Sequence, residues 1–91
     1  IKPNYVPALF ELQLDPPTWT KRFEIPEFKI CGSLKMAPDG EAVLFDGAQS
    51  SDGAGMAGAR ILRYSLDGQT RRELCKGTMP TLSPDDKRLA Y

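Results

Sequence analysis

Asp46 and Asp52 lie in and beside a polar segment, residues 47–59, that also carries Gln49, Ser50, Ser51 and glycines at 47, 53, 55 and 58. Two carboxylates at this spacing could serve as ligands for a hard cation. A calcium loop needs a denser run of oxygen ligands closed by a bidentate Glu, and this segment has neither. Gly53-Ala54-Gly55-Met56-Ala57-Gly58 has the glycine spacing of a dinucleotide-binding turn. It neither follows a parallel-sheet strand nor opens a helix, so that chemistry is rejected. What remains is a solvated insertion between two strands, which polar surface loops tolerate at little cost. Its functional reading is a partner-contacting loop, with Asp46, Gln49, Ser51, Asp52, Met56 and Arg60 as the candidate contacts.

The other reactive residues do not assemble into catalytic sets. The chain contains no histidine, which removes the usual general base and the commonest zinc ligand. Cys31 and Cys75 lack a CxxC spacing and read as buried thiols, not as a mutual bridge. Asp39 and Asp85 recur in equivalent settings, where turn capping explains them better than acid–base work. Trp19 is a candidate surface anchor for a partner, although a tryptophan beside a turn more often packs over a strand edge. The expectation is therefore no catalytic residue, no cofactor, no metal and no enzyme activity in this chain.

Composition narrows the partners. Twelve basic residues balance twelve acidic ones over 91 residues. A nucleic-acid or anionic-membrane binder would show a basic block, and only the pairs Lys21-Arg22, Arg71-Arg72 and Lys87-Arg88 occur. No apolar stretch approaches the ~18 residues of a membrane span. The sequence opens on Ile1 instead of Met, so no leader can be read from it.

The elements that must hold these residues are strands. Eight prolines and eight glycines are spread so that every helical pattern is interrupted. Residues 9–14 alternate with Phe10, Leu12 and Leu14 on one face, and residues 20–25 return after Asp15-Pro16-Pro17. Pro26 limits this second strand to an edge or an early stop. Residues 30–36 form the next strand, closed by Ala37-Pro38-Asp39-Gly40. Residues 42–45 are apolar on both faces, which a strand buried between two layers needs. Leu62, Tyr64 and Leu66 share one face of residues 61–66. Residues 70–75 carry Arg71-Arg72-Glu73, suited to a wet edge. Residues 78–82 and 88–91 complete eight strands.

Two turns are the same turn written twice: Met36-Ala37-Pro38-Asp39-Gly40 and Leu82-Ser83-Pro84-Asp85-Asp86. Pro38 and Pro84 are 46 residues apart (84 − 38 = 46), about one four-stranded propeller blade. Residues 10–15 match residues 62–67 in type, and Lys21-Arg22-Phe23-Glu24 echoes Arg71-Arg72-Glu73-Leu74.

Ala37-Pro38-Asp39-Gly40-Glu41-Ala42-Val43-Leu44-Phe45 and Ser83-Pro84-Asp85-Asp86-Lys87-Arg88-Leu89-Ala90-Tyr91 resemble the TolB-type, WD-like β-propeller repeat. The departures are Ala37 for Ser, Asp86 for Gly, and Asp15-Pro16-Pro17 for Asp-Gly. The resemblance implies an all-β fold of four-stranded antiparallel blades, about two in this chain. Residues 1–29 would be the outer-strand half of one blade, 30–77 a complete blade, and 78–91 the inner-strand half of a third. Two blades cannot close a ring, so either this is a stretch of a longer propeller or the implied partner is another protein or other copies of this chain, three of which would give six blades. The implied function is a non-enzymatic protein-interaction scaffold that presents residues 47–59 and 26–32 on one rim. The alternative is the propeller portion of a larger periplasmic or secreted enzyme with its catalytic domain elsewhere. Family resemblance likewise implies a periplasmic or secreted location.

Overall fold

Residues 42–48 run Ala-Val-Leu-Phe-Asp-Gly-Ala, a strand with apolar side chains toward both of its faces, and every one of the seven is buried. Such a strand needs a layer on each side, and the chain supplies both. A computed structural model describes residues 6–49 and 58–91. The strands are β1 (Ala8–Leu14), β2 (Pro17–Glu24), β3 (Ile30–Met36), β4 (Ala42–Ala48), β5 (Arg60–Ser65), β6 (Arg71–Lys76), β7 (Thr81–Leu82) and β8 (Leu89–Ala90). They form three antiparallel sheets: β1–β2, then β3–β4–β5–β6 in chain order, then β7–β8. No α-helix occurs among the described residues, and the fold is all-β.

The four-stranded sheet lies between the two hairpins. On one face Val43 and Phe45 of β4, with Leu62 and Tyr64 of β5, pack against Leu9 and Ile25. On the other, Ala37, Ala42 and Leu44 meet Leu74, Leu82 and Leu89. Alternation along β4 thus feeds two separate cores from one strand. Strand ends differ from the sequence expectation where side chains make special contacts. β4 continues through Asp46-Gly47-Ala48, because Asp46 finds a partner and Gly47 leaves room for the Phe28 ring, 2.8 Å from where a Cβ would stand. Asp-Gly is therefore strand here and not turn.

Hairpin registers repeat. β1–β2 pairs Leu9↔Phe23, Phe10↔Lys21 and Leu12↔Trp19, with an irregularity after Leu9. β5–β6 pairs Ile61↔Cys75, Leu62↔Glu73 and Tyr64↔Arg71, with its irregularity after Ile61. Every pair, and the irregularity, is displaced by 52 (61 − 9 = 75 − 23 = 52). In the same way Lys35↔Leu44 and Met36↔Val43 become Thr81↔Ala90 and Leu82↔Leu89, displaced by 46 (81 − 35 = 90 − 44 = 46). This corrects one alignment: Lys21 corresponds to Glu73 and Trp19 to Arg71, since strand pairing and not residue type fixes the equivalence.

Three turns share one hydrogen-bond plan. Gly40, Gly68 and Asp86 N–H groups donate to the carbonyls of Ala37, Ser65 and Ser83. Asp39, Asp67 and Asp85 accept from the N–H groups of Glu41, Gln69 and Lys87 through Oδ1. Ser65 and Ser83 hydroxyls add bonds to Asp67 and Asp85, and accept from Thr70 and Arg88 N–H. These are capping carboxylates, as local Asp-to-backbone bonding would have it. Asp86 holds the positive-φ position (63°) that glycine holds in the other two turns, and its carboxylate grips Arg63 of β5 with bonds of 2.8 and 3.1 Å.

Gly40 and Gly68 provide a test. Both have φ near +74°, where a Cβ costs about 1–2 kcal/mol. A Cβ at Gly40 meets nothing within 4 Å, whereas one at Gly68 stands 2.9 Å from Phe23. Urea titration should show Gly40→Ala losing about 1 kcal/mol and Gly68→Ala clearly more. Equal losses would mean that Phe23 does not seat the hairpin at this turn.

Candidate functional site

The two ends of the strands differ in character. At one end lie the three capped turns, tied together by Leu66 N–H to Glu41 O and by Arg63 to Asp86 and Asp39. Asp39, Asp67, Asp85, Ser65 and Ser83 are occupied in holding the turns. At the other end meet the β2–β3 connection, the end of β4, the start of β5 and the β6–β7 connection. Lys29 N–H donates to Ala48 O, Gln49 Nε2 to Glu27 O at 2.7 Å, and Gly77 N–H to Ala59 O. This second rim is the candidate interaction site, and Gln49, Lys29, Gly58 and Met79 are exposed along it.

Sequence candidates fall on both sides of this boundary. Gln49 lies on the rim, exposed. Asp46 does not: it lies within β4, 2% exposed, and its Oδ2 accepts the Met79 N–H at 3.0 Å. That carboxylate ties β4 to the β6–β7 connection, so its assignment as a partner contact is corrected to an internal tether. Arg60 is likewise the first residue of β5, half-buried, with Nε 3.3 Å from Glu73 across the β5–β6 pair. Ser51, Asp52 and Met56 lie outside the described residues. Among the described residues no three His, Cys, Asp or Glu side chains converge as a metal centre would require. Trp19 stands 71% exposed on β2, opposite Leu12, and is not packed over an edge.

A polar cluster that the sequence did not signal secures the rim to the sheet. Glu27, from the β2–β3 connection, accepts the Tyr64 hydroxyl at 2.6 Å and two bonds from Arg71 Nη1 at 2.7 and 2.8 Å. Arg71 also donates to Glu24 O and Gly68 O, and its guanidinium lies 4.8 Å from the Tyr64 ring centroid and 5.3 Å from that of Phe23. One planar group that serves a carboxylate through Nη1, two carbonyls through Nη2 and Nε, and stacks on aromatic rings suits Arg in a way Lys cannot match. Burial works to raise the Glu27 pKa, but the bonds from Tyr64 and Arg71 outweigh it and hold the carboxyl below its ordinary value. Burial and the Glu27 carboxylate push the Tyr64 phenol far up, so it stays a donor. The three residues come from segments far apart in the chain, which is why no local spacing betrays them.

Cys31 and Cys75 are both free and half-buried, in β3 and β6 of the same sheet. Burial, with the charges of Asp46 and Glu27 nearby, pushes the Cys31 thiol up to about 11. A thiol so protonated at neutral pH is a poor nucleophile.

Two outcomes check these assignments. Asp46→Ala leaves the Met79 N–H without its acceptor and should cost about 1–3 kcal/mol by urea titration, while Asp46→Asn, which can still accept, costs less. Glu27 is more acidic folded than unfolded, so its stabilisation is full above its ordinary value of 4.5 and is lost as pH falls through the lowered one. Glu27→Gln should therefore flatten the acid side of the stability profile below about pH 4.5 and cost about 1 kcal/mol at neutral pH, the pair being part-exposed. An unchanged acid limb would show that Glu27 is not the group that titrates.

No family model, curated protein or solved structure matches this chain, and its functional reading rests on the residues described above.

Proposed function

We propose that this chain is a β-propeller segment of TolB-like, WD-like repeats that serves as a protein-interaction scaffold and does no chemistry of its own. The observation that carries the reading is the pair of duplicated hairpin registers, displaced by 52 and by 46 residues, bulge included. A duplicated register with side chains as unlike as Trp19 and Arg71 supports a repeated backbone unit, because sheet register persists where residue type drifts. On this reading residues 1–29 are the outer half of one blade, 30–77 a whole blade and 78–91 the inner half of another. Stacked sheets of this kind gain stability chiefly from their neighbours.

The scaffold reading follows from the asymmetry of the rims. Capping bonds occupy the turn carboxylates and the two serine hydroxyls of one, whereas the other presents Gln49, Lys29 and Met79 on connections anchored by Asp46 and by the Glu27–Tyr64–Arg71 cluster. Rigid elements holding exposed connections are the usual layout of a recognition surface. A peptide library panned against the chain should enrich ligands that lose at least about tenfold in affinity on Lys29→Glu or Met79→Asp, with Gln69→Glu, exposed on the capped rim, as the neutral control. Ligands indifferent to the first two substitutions would place recognition elsewhere and sink the assignment.

A further inference from the structure

Among the described residues β1 is paired only with β2, and β8 only with β7. Beside β8 an open groove of about 390 Å³ has Leu74, Leu82 and Leu89 on its floor and the charged side chains of Arg63, Arg72, Asp86, Lys87 and Arg88 around them. Hairpin β1–β2 in turn shows an apolar outer face: Phe10, Leu12, Leu14 and Trp19 are 55, 38, 79 and 71% exposed. Phe10↔Lys21, Leu12↔Trp19 and Leu14↔Pro17 are directly opposed, so these side chains form one contiguous patch. A contiguous exposed apolar patch on a small chain marks an interaction surface.

The chain contains its own template for joining them. β8 corresponds to β4 by the displacement of 46, and β1 to β5 by that of 52. β4 and β5 pair antiparallel with Val43↔Tyr64, Leu44↔Arg63 and Phe45↔Leu62. Carried across, these become Leu89↔Leu12, Ala90↔Glu11 and Tyr91↔Phe10. Facing is consistent as well. Leu62 and Tyr64 pack on the hairpin that precedes their sheet, and their counterparts Phe10 and Leu12 would pack on the sheet that precedes theirs. Leu89 already faces that sheet, against Leu44, and the Tyr91 ring lies over Gly77.

We propose that β1 of a second copy of this chain pairs antiparallel with β8 in the register Leu89↔Leu12 and Tyr91↔Phe10. Hairpin β1–β2 of that copy then fills the groove, with Phe10, Leu12 and Trp19 over Leu74 and the stems of Arg63 and Arg72. The arrangement deepens the repeat reading above and rests on it. It completes a four-stranded sheet from two chains and converts two edges into a ladder. Trp19 becomes a cation–π partner for Arg72, in the way that Arg71 now stacks on Phe23 and Tyr64. The contact is head-to-tail, so it propagates and closes into a ring where the rotation permits.

The test uses the full chain with Cys31 and Cys75 retained and the parent protein as the control for their reactivity. Phe10→Cys and Tyr91→Cys variants, mixed and mildly oxidised, should give a disulfide-linked pair between the two introduced cysteines. Glu11→Cys with Tyr91→Cys, one residue out of register and on the opposite face, should link at least about tenfold more slowly. Sedimentation equilibrium should show self-association of the parent, weakened at least about tenfold by Leu12→Lys. Circular dichroism of the Leu12→Lys protein guards against simple unfolding, since that side chain points outward. An oligomer that links equally in both registers overturns this pairing and leaves the rim assignment standing. A chain that stays monomeric and unlinked at high concentration overturns self-pairing altogether, and the panning experiment still tests the rim independently.

Discussion

Burial of β4 on both faces is the constraint from which the rest of the molecule follows. A strand with Val43 and Phe45 on one side and Ala42 and Leu44 on the other cannot be served by a single sheet with one solvated face. Each face demands its own cover, and hairpins β1–β2 and β7–β8 supply them. The covers are unequal. Hairpin β1–β2 brings strands of seven and eight residues, while β7 and β8 have two each. Core on the second side therefore stays shallow, and the groove beside β8 is where that shortage shows.

The same constraint explains the two polar anchors. A strand buried for seven residues ends with Asp46 still inside, and a buried carboxylate must find a donor. The Met79 N–H answers that need and at the same time fixes the connection leading to β7. On the opposite face Tyr64 buries its ring against Phe23 and Phe45 and needs a partner for its hydroxyl. Glu27 meets it, and Arg71 then neutralises Glu27. Each connection at the interaction rim is thus held by the polar remainder of a hydrophobic core.

Local signals were legible in the sequence and pairing was not. Proline, aspartate and glycine at fixed offsets announce the turns, because φ and side-chain-to-backbone bonds are set within four residues. The dual burial of residues 42–45 is equally plain from their unbroken apolarity. Beyond Phe45 the Asp-Gly pair reads as the entry to a polar loop, and contacts with Phe28 and Met79, distant in sequence, keep it extended. The first strands of the two long hairpins are matched by residue type, 10–15 with 62–67, but their returning strands are not, for a related reason. Trp19 and Arg71 differ in kind, so the match of the returning strands becomes visible only in the register. The rim cluster joins Glu27 to Arg71 across 44 positions, a separation at which no periodicity operates.

How the sheet edges are finished separates those built to stay alone from those built to pair. β6 ends its sheet with Arg71, Arg72 and Glu73, all exposed. β3, at the other end, carries Ser33 at φ 55° and an irregular register between Gly32 and Lys35. β2 displays Lys21, Arg22 and Glu24. Charge, positive φ and bulging are the ordinary means of discouraging another strand from adding. β1 and β8 carry fewer of them: past the one irregularity between Leu9 and Phe10 the β1 register is regular to Leu14, its apolar side chains are exposed, and its one acid, Glu11, is bound to Arg22 at 2.6 Å. β8 is Leu89-Ala90, with no charge of its own. An exposed apolar face on a regular strand suits it to be covered. The pairing of the counterparts β4 and β5 within the molecule shows the register in which a β8–β1 ladder would bury that face.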